Sequence, residues 1–482
     1  MTQVNESTTR VDRNYRHEYF RTDHLRADLL ARSARSGILN LSSQAFKFVI
    51  STASTIVLAR LLTPTDYGII GMIAIVLNLA VMFQYLGLSG ATVQWAEIDH
   101  RQVSNLFWAN FGLSVLMAVG MALLSPLIGW FFQEPRVIGV TLGYALSVLI
   151  TGLWIQHEAL LTRQMRFSLL VPIDIASLAI GLTVAITSAW LGAGYWALVY
   201  NSLATTTSQA VLYWTACKWR PGLPTRGSGV RPLLFWGGHA AVANLITVFS
   251  RNLDSVLIGR FWGAQQLGMY TRSYQLMLLP VQQIYFPIGS VALPTLSKLT
   301  DSPEEYRRAY LGIIEKLALI TMPGVALMCA ISDWLILLLL GPQWSESARI
   351  FSILGISALI LPVTRSCTWL LMTQSRTKEL ITWSTVSAVT GAVSVAVGLP
   401  WGAVGVAASY ALVDLFIQSP CLLWFVGRKG PVSMFDFYRT LYPMVIAAVA
   451  VFLGTVLMRT WLLEIESTFV RIALASASGV AV

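Results

Sequence analysis

Inside an otherwise apolar run, Asn40, Gln44, Lys47, Ser51 and Ser54 recur at steps of four, three, four and three, which lines one face of a single helix. Two hundred residues later Asn244, Thr247, Arg251 and Asp254 take the positions of Gln44, Lys47, Ser51 and Ser54. Amides and hydroxyls exchange hydrogen bonds with a neutral polar guest, and an ammonium and a guanidinium hold an anion. Facing lipid, such a stripe would cost several kcal/mol in unsatisfied groups, so both are expected to face protein or water. The plain alternative is interhelical hydrogen bonding, worth about 0.6–2 kcal/mol per bond, and it suffices for Asn40 or Ser54 alone. A cation deep in a membrane span marks a pathway more often than a joint, which makes Lys47 and Arg251, with Gln44, Ser51, Asn244 and Thr247, the candidate lining of a cavity.

Other intramembrane charges divide by context. Asp254 follows Arg251 by three residues and neutralises it in the plain reading. Asp414 has no partner nearby in sequence and is the leading candidate for a protonatable or ion-coupling carboxylate, with Asp254 second. Arg272 and Arg365 are added to the cavity set, with snorkelling as their plain alternative. Glu315, Lys316 and Asp174, which follows Pro172, read as structural groups near the inner interface. His157 and His239 lack ligand spacing, and Cys217, Cys329, Cys367 and Cys421 form no CxxC motif, so no metal site and no cofactor are expected.

The elements that must position these groups are membrane helices. With 55% hydrophobic and 12% charged residues and a mean hydropathy of +0.65, the 482 residues could hardly cover a water-soluble surface. Apolar runs long enough to cross a bilayer are read at 36–60, 66–90, 104–132, 137–160, 168–191, 194–217, 232–262, 267–296, 307–340, 345–372, 379–399, 402–427 and 437–459. A last run, 467–482, is too short to cross and is expected either to be cut short or to lie in the interface.

The string TIVLARLLTPTDYGIIG at 55–71 overlays SVLIGRFWGAQQLGMYT at 255–271 without a gap, and LGAGYWAL at 191–198 resembles LPWGAVGVAA at 399–408, with Gly194 matching Gly402. Six spans separate the copies, so they are expected to be parallel repeats related by an axis along the membrane normal. The predicted fold is all-α and polytopic: a basic arm at 1–35, a six-helix lobe at 36–217, a Gly- and Pro-rich linker at 218–231, a second six-helix lobe at 232–427, and two further helices at 428–482, the last incomplete. Parallel repeats commonly enclose a midplane site reached alternately from either side.

The net charge of +10 is a matter of topology rather than of nucleic acid. With the amino terminus inside, only Arg60, Arg136, Arg260 and Arg459 lie at external turns, while most other Lys and Arg residues are cytosolic, so the positive-inside rule places the arm in the cytoplasm. The arm has no apolar signal core, and its LRADLLARSARSG segment has the spacing of a helix that could lie on anionic headgroups. A nucleotide-hydrolysing loop is absent, and so are DxD, HExxH and paired loop carboxylates, which argues against an enzyme.

The strings ARLLTPTDYGIIGM, QYLGLSGATVQ, LLTRQMRFSLL and LDSVLIGRFWGAQQLGMYTRSYQL resemble the Wzx-type polysaccharide and lipopolysaccharide exporters of the multidrug/oligosaccharidyl-lipid/polysaccharide flippase superfamily, over essentially the whole chain. That resemblance implies two six-helix lobes and transfer of an undecaprenyl-diphosphate-linked oligosaccharide from the cytoplasmic to the outer leaflet of the bacterial inner membrane. O-antigen, capsule or exopolysaccharide assembly would follow, with membrane lipids and a polymerase and co-polymerase as partners. Lys47 and Arg251 would then face the diphosphate, and the neutral stripe residues the sugar hydroxyls. The rival within the superfamily is an ion-coupled multidrug or organic-cation antiporter, which would want a carboxylate-dominated cavity.

Overall fold

The computed structural model describes residues 20, 29–84, 89–95, 98–225 and 231–462; the side chains of 29–43, 45, 91, 94, 231–247, 249–251 and 460–462 fall outside that description. Every regular element among the described residues is helical. In hydrocarbon each backbone N–H and C=O must find a partner within its own segment, and runs of Leu, Ala, Val and Ile satisfy that requirement as helices.

The helices are α1 (Leu29–Leu61), α2 (Pro64–Gln84), the short α3 (Gly90–Gln94), α4 (His100–Phe132), α5 (Arg136–Arg163), α6 (Phe167–Trp190), α7 (Trp196–Ala216) and α8 (Arg231–Ser297). They continue as α9 (Pro303–Ala330), α10 (Ser332–Leu339), α11 (Ser345–Thr373), α12 (Thr377–Gly398), α13 (Gly402–Val413), α14 (Ser419–Gly427) and α15 (Met434–Leu462). Among the described residues, 9 runs are long and apolar enough to cross a membrane. Helix α8 breaks at Gly263 and the run Thr377–Gly427 at Leu399–Trp401, so each accommodates two expected spans. Every expected span but the last falls on a described helix; 467–482 and, apart from Phe20, the first 28 residues lie outside the description.

The chain divides into two compact units, one of Met1–Leu62 and Met72–Phe249, the other of Thr63–Gly71 and Ser250–Val482. In the first, α4 packs on α5, α6 on α7, α5 on α7 and α1 on α6. One core gathers Phe107, Trp154, Ile155, Leu161, Tyr213 and Trp219. Asp99 and Gln102 close a capping box at the start of α4. At the end of α5, Arg163 donates to the carbonyls of Thr92 (3.0 Å) and Trp95 (2.5 Å), and Gln156 donates to the Thr92 hydroxyl, so the arginine of the LLTRQMRF string anchors α3.

The stretch after α7 reads as the start of a loose linker, yet 217–225 lies strapped along α4. Trp219 Nε1 donates to His100 Nδ1 (3.0 Å), the Gly222 carbonyl accepts from Trp108, and Asn105 bonds Thr225 in both directions.

In the second unit α9 packs on α11 and α15, α11 on α13, and α12 on α13, around Tyr306, Tyr310, Leu317, Val363, Leu370, Phe437 and Leu441. Helix α8 breaks at Gly263, whose φ of 76° and ψ of −177° lie where side chains other than hydrogen are strained. The two copies of the duplicated string meet inside this unit. A Cβ on Gly68 would stand 1.7 Å from the Ala264 carbonyl oxygen, and one on Gly268 would stand 1.8 Å from that of Pro64. Each contact repeats the other at an offset of two hundred, so the pair obeys a local twofold relation.

Turn geometry recurs as well. Left-handed φ occurs at Met165 and Ser375, which close two like motifs, LLTRQMR at 160–166 and LLMTQSR at 370–376. Arg166 N–H donates to the Leu161 carbonyl (3.0 Å) and Arg376 N–H to that of Leu371 (2.8 Å), the six-to-one bond of a Schellman end.

Candidate functional site

In the first unit the polar face of α1 meets α6. The Lys47 ammonium forms an ion pair with Asp174 at 2.6 Å, and both ends are about a third open, at 33% and 28%. Tyr213, buried on α7, donates its hydroxyl to the other Asp174 oxygen at 2.8 Å. Glu158 of α5 interacts electrostatically with both Asp174 and Lys47. Four helices thus contribute one cation, two carboxylates and a phenol to one cluster. Gln44 and Ser51 are exposed on the same helix as Lys47, whereas Ser54 is buried. The side chains of Asn40, Asn244, Thr247 and Arg251 fall outside the described residues.

The second unit holds its own polar cluster. Asp254 accepts from the Tyr270 hydroxyl at 2.9 Å and from the Ser255 N–H at 2.7 Å. Asp414 opens a π-helical turn, Asp414–Gln418, between α13 and α14, and accepts a short hydrogen bond from Ser357 of α11. Such turns carry one residue more than an α-helical turn and occur often at functional sites. Arg365 interacts electrostatically with Asp414, and Tyr410 with Asp254, Asp414, Arg365 and Tyr274. The Arg365 carbonyl accepts from Tyr285, whose ring stacks on Trp369. The two coupling candidates and Arg365 therefore all act electrostatically on one tyrosine.

Arg272 is engaged elsewhere in this unit: its guanidinium lies 3.6 Å from the centre of the Tyr67 ring and donates to Gln275 at 3.0 Å. Tyr67 in turn packs edge-on against Trp344.

Several members of these clusters escaped the reading of the sequence. Glu158 carried a signal, since it is a carboxylate inside the apolar run GLWIQHEALL. Tyr213, Ser357, Tyr270 and Tyr410 carried none, because a tyrosine or serine in a span is ordinary until its neighbours are known. Asp174, read as structural, is the direct partner of Lys47.

A solved lipid II flippase MurJ, in an inward closed conformation, superposes with a TM-score of 0.72 at 12% identity, covering 92% of this chain and 97% of that one. An inward-facing multidrug resistance MATE family transporter gives 0.62 at 12% identity, over 81% of this chain and 97% of the other. At such identity the likeness concerns the fold. Among sequence relatives, the teichuronic acid biosynthesis protein TuaB of Bacillus subtilis is 27% identical over 57% of each chain. The lipopolysaccharide biosynthesis protein WzxC of Escherichia coli is 23% identical over 77% of this chain and 76% of its own. The succinoglycan biosynthesis transport protein ExoT of Rhizobium meliloti is 23% identical over 70% and 69%. This chain therefore spans a little over half of the first relative's length and about three quarters of the second's. The family described as polysaccharide biosynthesis protein matches residues 57–349, and with more than half of its length inside that match the chain belongs to this family of multi-pass membrane proteins.

Proposed function

We propose that this protein is a flippase, not an enzyme, that moves an undecaprenyl-diphosphate-linked oligosaccharide from the cytoplasmic to the periplasmic leaflet of the bacterial inner membrane. The two lobes would alternate access to a polar site between leaflets. The observation that carries this reading is the Lys47 ammonium on the polar face of α1, in a chain of a polysaccharide biosynthesis family. A diphosphate bearing sugars cannot cross hydrocarbon unaided, because each unpaired buried charge costs several kcal/mol or more. An ammonium in the span supplies a charge-assisted partner, and Arg251, its counterpart in the second copy, would supply a forked one. Gln44, Ser51, Asn244 and Thr247 would serve the sugars, and a polymerase with its co-polymerase would consume the product outside. Asp254 and Asp414, which both act electrostatically on Tyr410, are the proposed ion-coupling carboxylates of the second lobe.

The test is a strain lacking this gene, complemented with wild type, Lys47→Ala or Arg251→Ala, in which lipid-linked repeat units are assayed by leaflet. Wild type should clear the cytoplasmic leaflet, and both variants should leave repeat units there. Deletion without any build-up on that leaflet would overturn the proposal.

One observation favours the organic-cation antiporter as a second reading. Lys47 is neighboured by Asp174 and Glu158, and the second cluster holds Asp254 and Asp414 against Arg365, so among the described residues carboxylates outnumber cations in both. Lys47→Glu with Arg251→Glu separates the readings: glycolipid export should vanish, whereas cation efflux would be spared or improved.

A further inference from the structure

We propose that the polar arc of helix α7 is the wall that reads the sugars of the lipid-linked oligosaccharide, through hydrogen bonds to their uncharged hydroxyl and amide groups. This deepens the reading of Lys47 as the diphosphate ligand and rests on it.

At about 100° per residue, Asn201, Ser202, Thr205, Thr206, Ser208 and Gln209 fall within an arc of about 160° on α7. The opposite side carries Tyr200, Leu203, Ala204, Ala210 and Val211, with Thr207 as the polar exception. Tyr200 and Val211 are exposed, as lipid contacts are, yet every residue of the polar arc is half-buried rather than sealed. A helix open on two sides meets acyl chains with its apolar side. It cannot turn the polar side to them as well, because amides without partners are costly in hydrocarbon. The polar arc therefore borders water or a polar guest.

Packing on the neighbouring helix accounts for one edge of this arc alone. A Cβ added to Gly181 of α6 would stand 1.9 Å from Thr205 Oγ1 and 2.7 Å from Asn201 Oδ1, and Thr205 donates to Asn201 Oδ1 at 3.4 Å. Ser202, Thr206 and Gln209 lie on the other edge. Thr206 donates to the Ser202 carbonyl at 2.9 Å, which leaves its own oxygen able to accept. Neither the Gln209 amide nor the Ser202 hydroxyl bonds another described residue.

The arc starts beside the cation. Tyr213, one turn beyond Gln209, donates to one Asp174 oxygen at 2.8 Å, and the other oxygen pairs with Lys47 at 2.6 Å. From Gln209 to Asn201 the helix rises about 12 Å, toward the outer surface in the expected topology. A diphosphate at Lys47 thus has a ladder of hydroxyls and amides leading away from it, with no charged residue between 201 and 209. Sugar hydroxyls and acetamido groups donate and accept, as carboxamides do, so the two surfaces match. An organic cation would find no carboxylate on this ladder.

The experiment titrates the purified protein in nanodiscs with undecaprenyl diphosphate, bare or carrying a disaccharide of N-acetylglucosamine. Wild type should bind the sugar-bearing probe about tenfold tighter, the worth of one or two net hydrogen bonds. Gln209→Leu with Thr206→Val should bring the two affinities within about twofold, while the bare probe binds as to wild type and so reports a folded protein. A preserved gap, no gap in wild type, or equal loss of both probes would overturn the inference. Water access is read separately, on a background lacking the native four cysteines. Ser202→Cys and Gln209→Cys should react with a charged methanethiosulfonate, more slowly once the disaccharide probe is bound, whereas Leu203→Cys and Val211→Cys should stay unmodified. Arc cysteines as inert as those two would sink the proposal. Lys47→Gln addresses the underlying reading: wild-type affinity for both probes removes Lys47 as the diphosphate ligand, whereas weakened binding there, with a preserved sugar gap in the α7 variant, removes only the glycan wall.

Discussion

A carboxylate 2.6 Å from an ammonium and held by a phenol is an ordered group rather than a free anion, and the same contrast operates at the surface. Between α4 and α5, Glu134 takes both Nε and Nη2 of Arg136 at 2.8 Å. The hydrogen bond from Arg136 holds the Glu134 carboxyl below the usual range, against a smaller opposing effect of burial. A carboxylate with a depressed folded pKa stabilises above its unfolded value and loses that stabilisation as pH falls through the folded one. Thermal melts from pH 7 to pH 3 should therefore show wild type losing a component that Glu134→Gln lacks at every pH, so the two curves converge at the acid end. Parallel curves would show that the pair contributes nothing. At this scale the sequence was partly legible. The stripe spacing brought out Lys47, but its partner lies 127 residues away in the chain, and no local pattern joins Asn40 to Ser54 with Asp174. The Asp254–Tyr270 bond spans 16 residues across the break at Gly263 and was equally hidden, whereas the expected local neutralisation by Arg251 falls on a side chain outside the description.

At the scale of elements much more was readable, because span length and apolarity are properties of consecutive residues. All expected spans but the last coincide with helices, and the duplicated strings mark places where the chain repeats its geometry. The reason for the repeated glycine emerges only in three dimensions: Gly68 and Gly268 each face a backbone carbonyl of the other copy. A backbone atom cannot turn aside as a flexible side chain can. Gly68→Ala should therefore fall at the upper end of overpacking effects, about 3 kcal/mol of lost stability, read as a lowered melting temperature of the purified protein. Gly112→Ala, with open space around its added Cβ, is the control and should change little. An unaffected Gly68→Ala protein would mean that the helices separate freely there. The shared LLxxQxR ends were also present in the sequence, but without the left-handed Met165 and Ser375 they look like an unremarkable pair of polar turns.

For the whole molecule, the asymmetric distribution of Lys and Arg predicts the orientation. Single cysteines introduced on a background lacking the native four test it with a membrane-impermeant maleimide on intact spheroplasts. Ala193→Cys, in the turn after α6, should label readily, and Ser7→Cys, in the basic arm, only after lysis. The reverse pattern would invert the topology and, with it, the direction of the proposed transfer. The fold was legible at this scale because hydropathy, charge and repetition all pointed the same way. The division into units was less so: 63–71 groups with the second unit, although sequence order assigns it to the first lobe, since the twofold contact with the second copy outweighs its chain neighbours.

The π turn at Asp414 carries a consequence for everything that follows it in the same rod. Phe416 and Ile417 stand exposed on its outer side, while Gln418 reaches inward to Ser387 and Thr390, and Leu422, Leu423 and Val426 are buried. Those inward positions keep their azimuth only because one surplus amino acid is inserted ahead of them. Removing any one of residues 415–417 would wind the tail back by about 100°, swinging its greasy side toward the acyl chains and its amide with it. The insertion is thus a phase adjuster, and natural length variation at this spot should be far rarer than substitution.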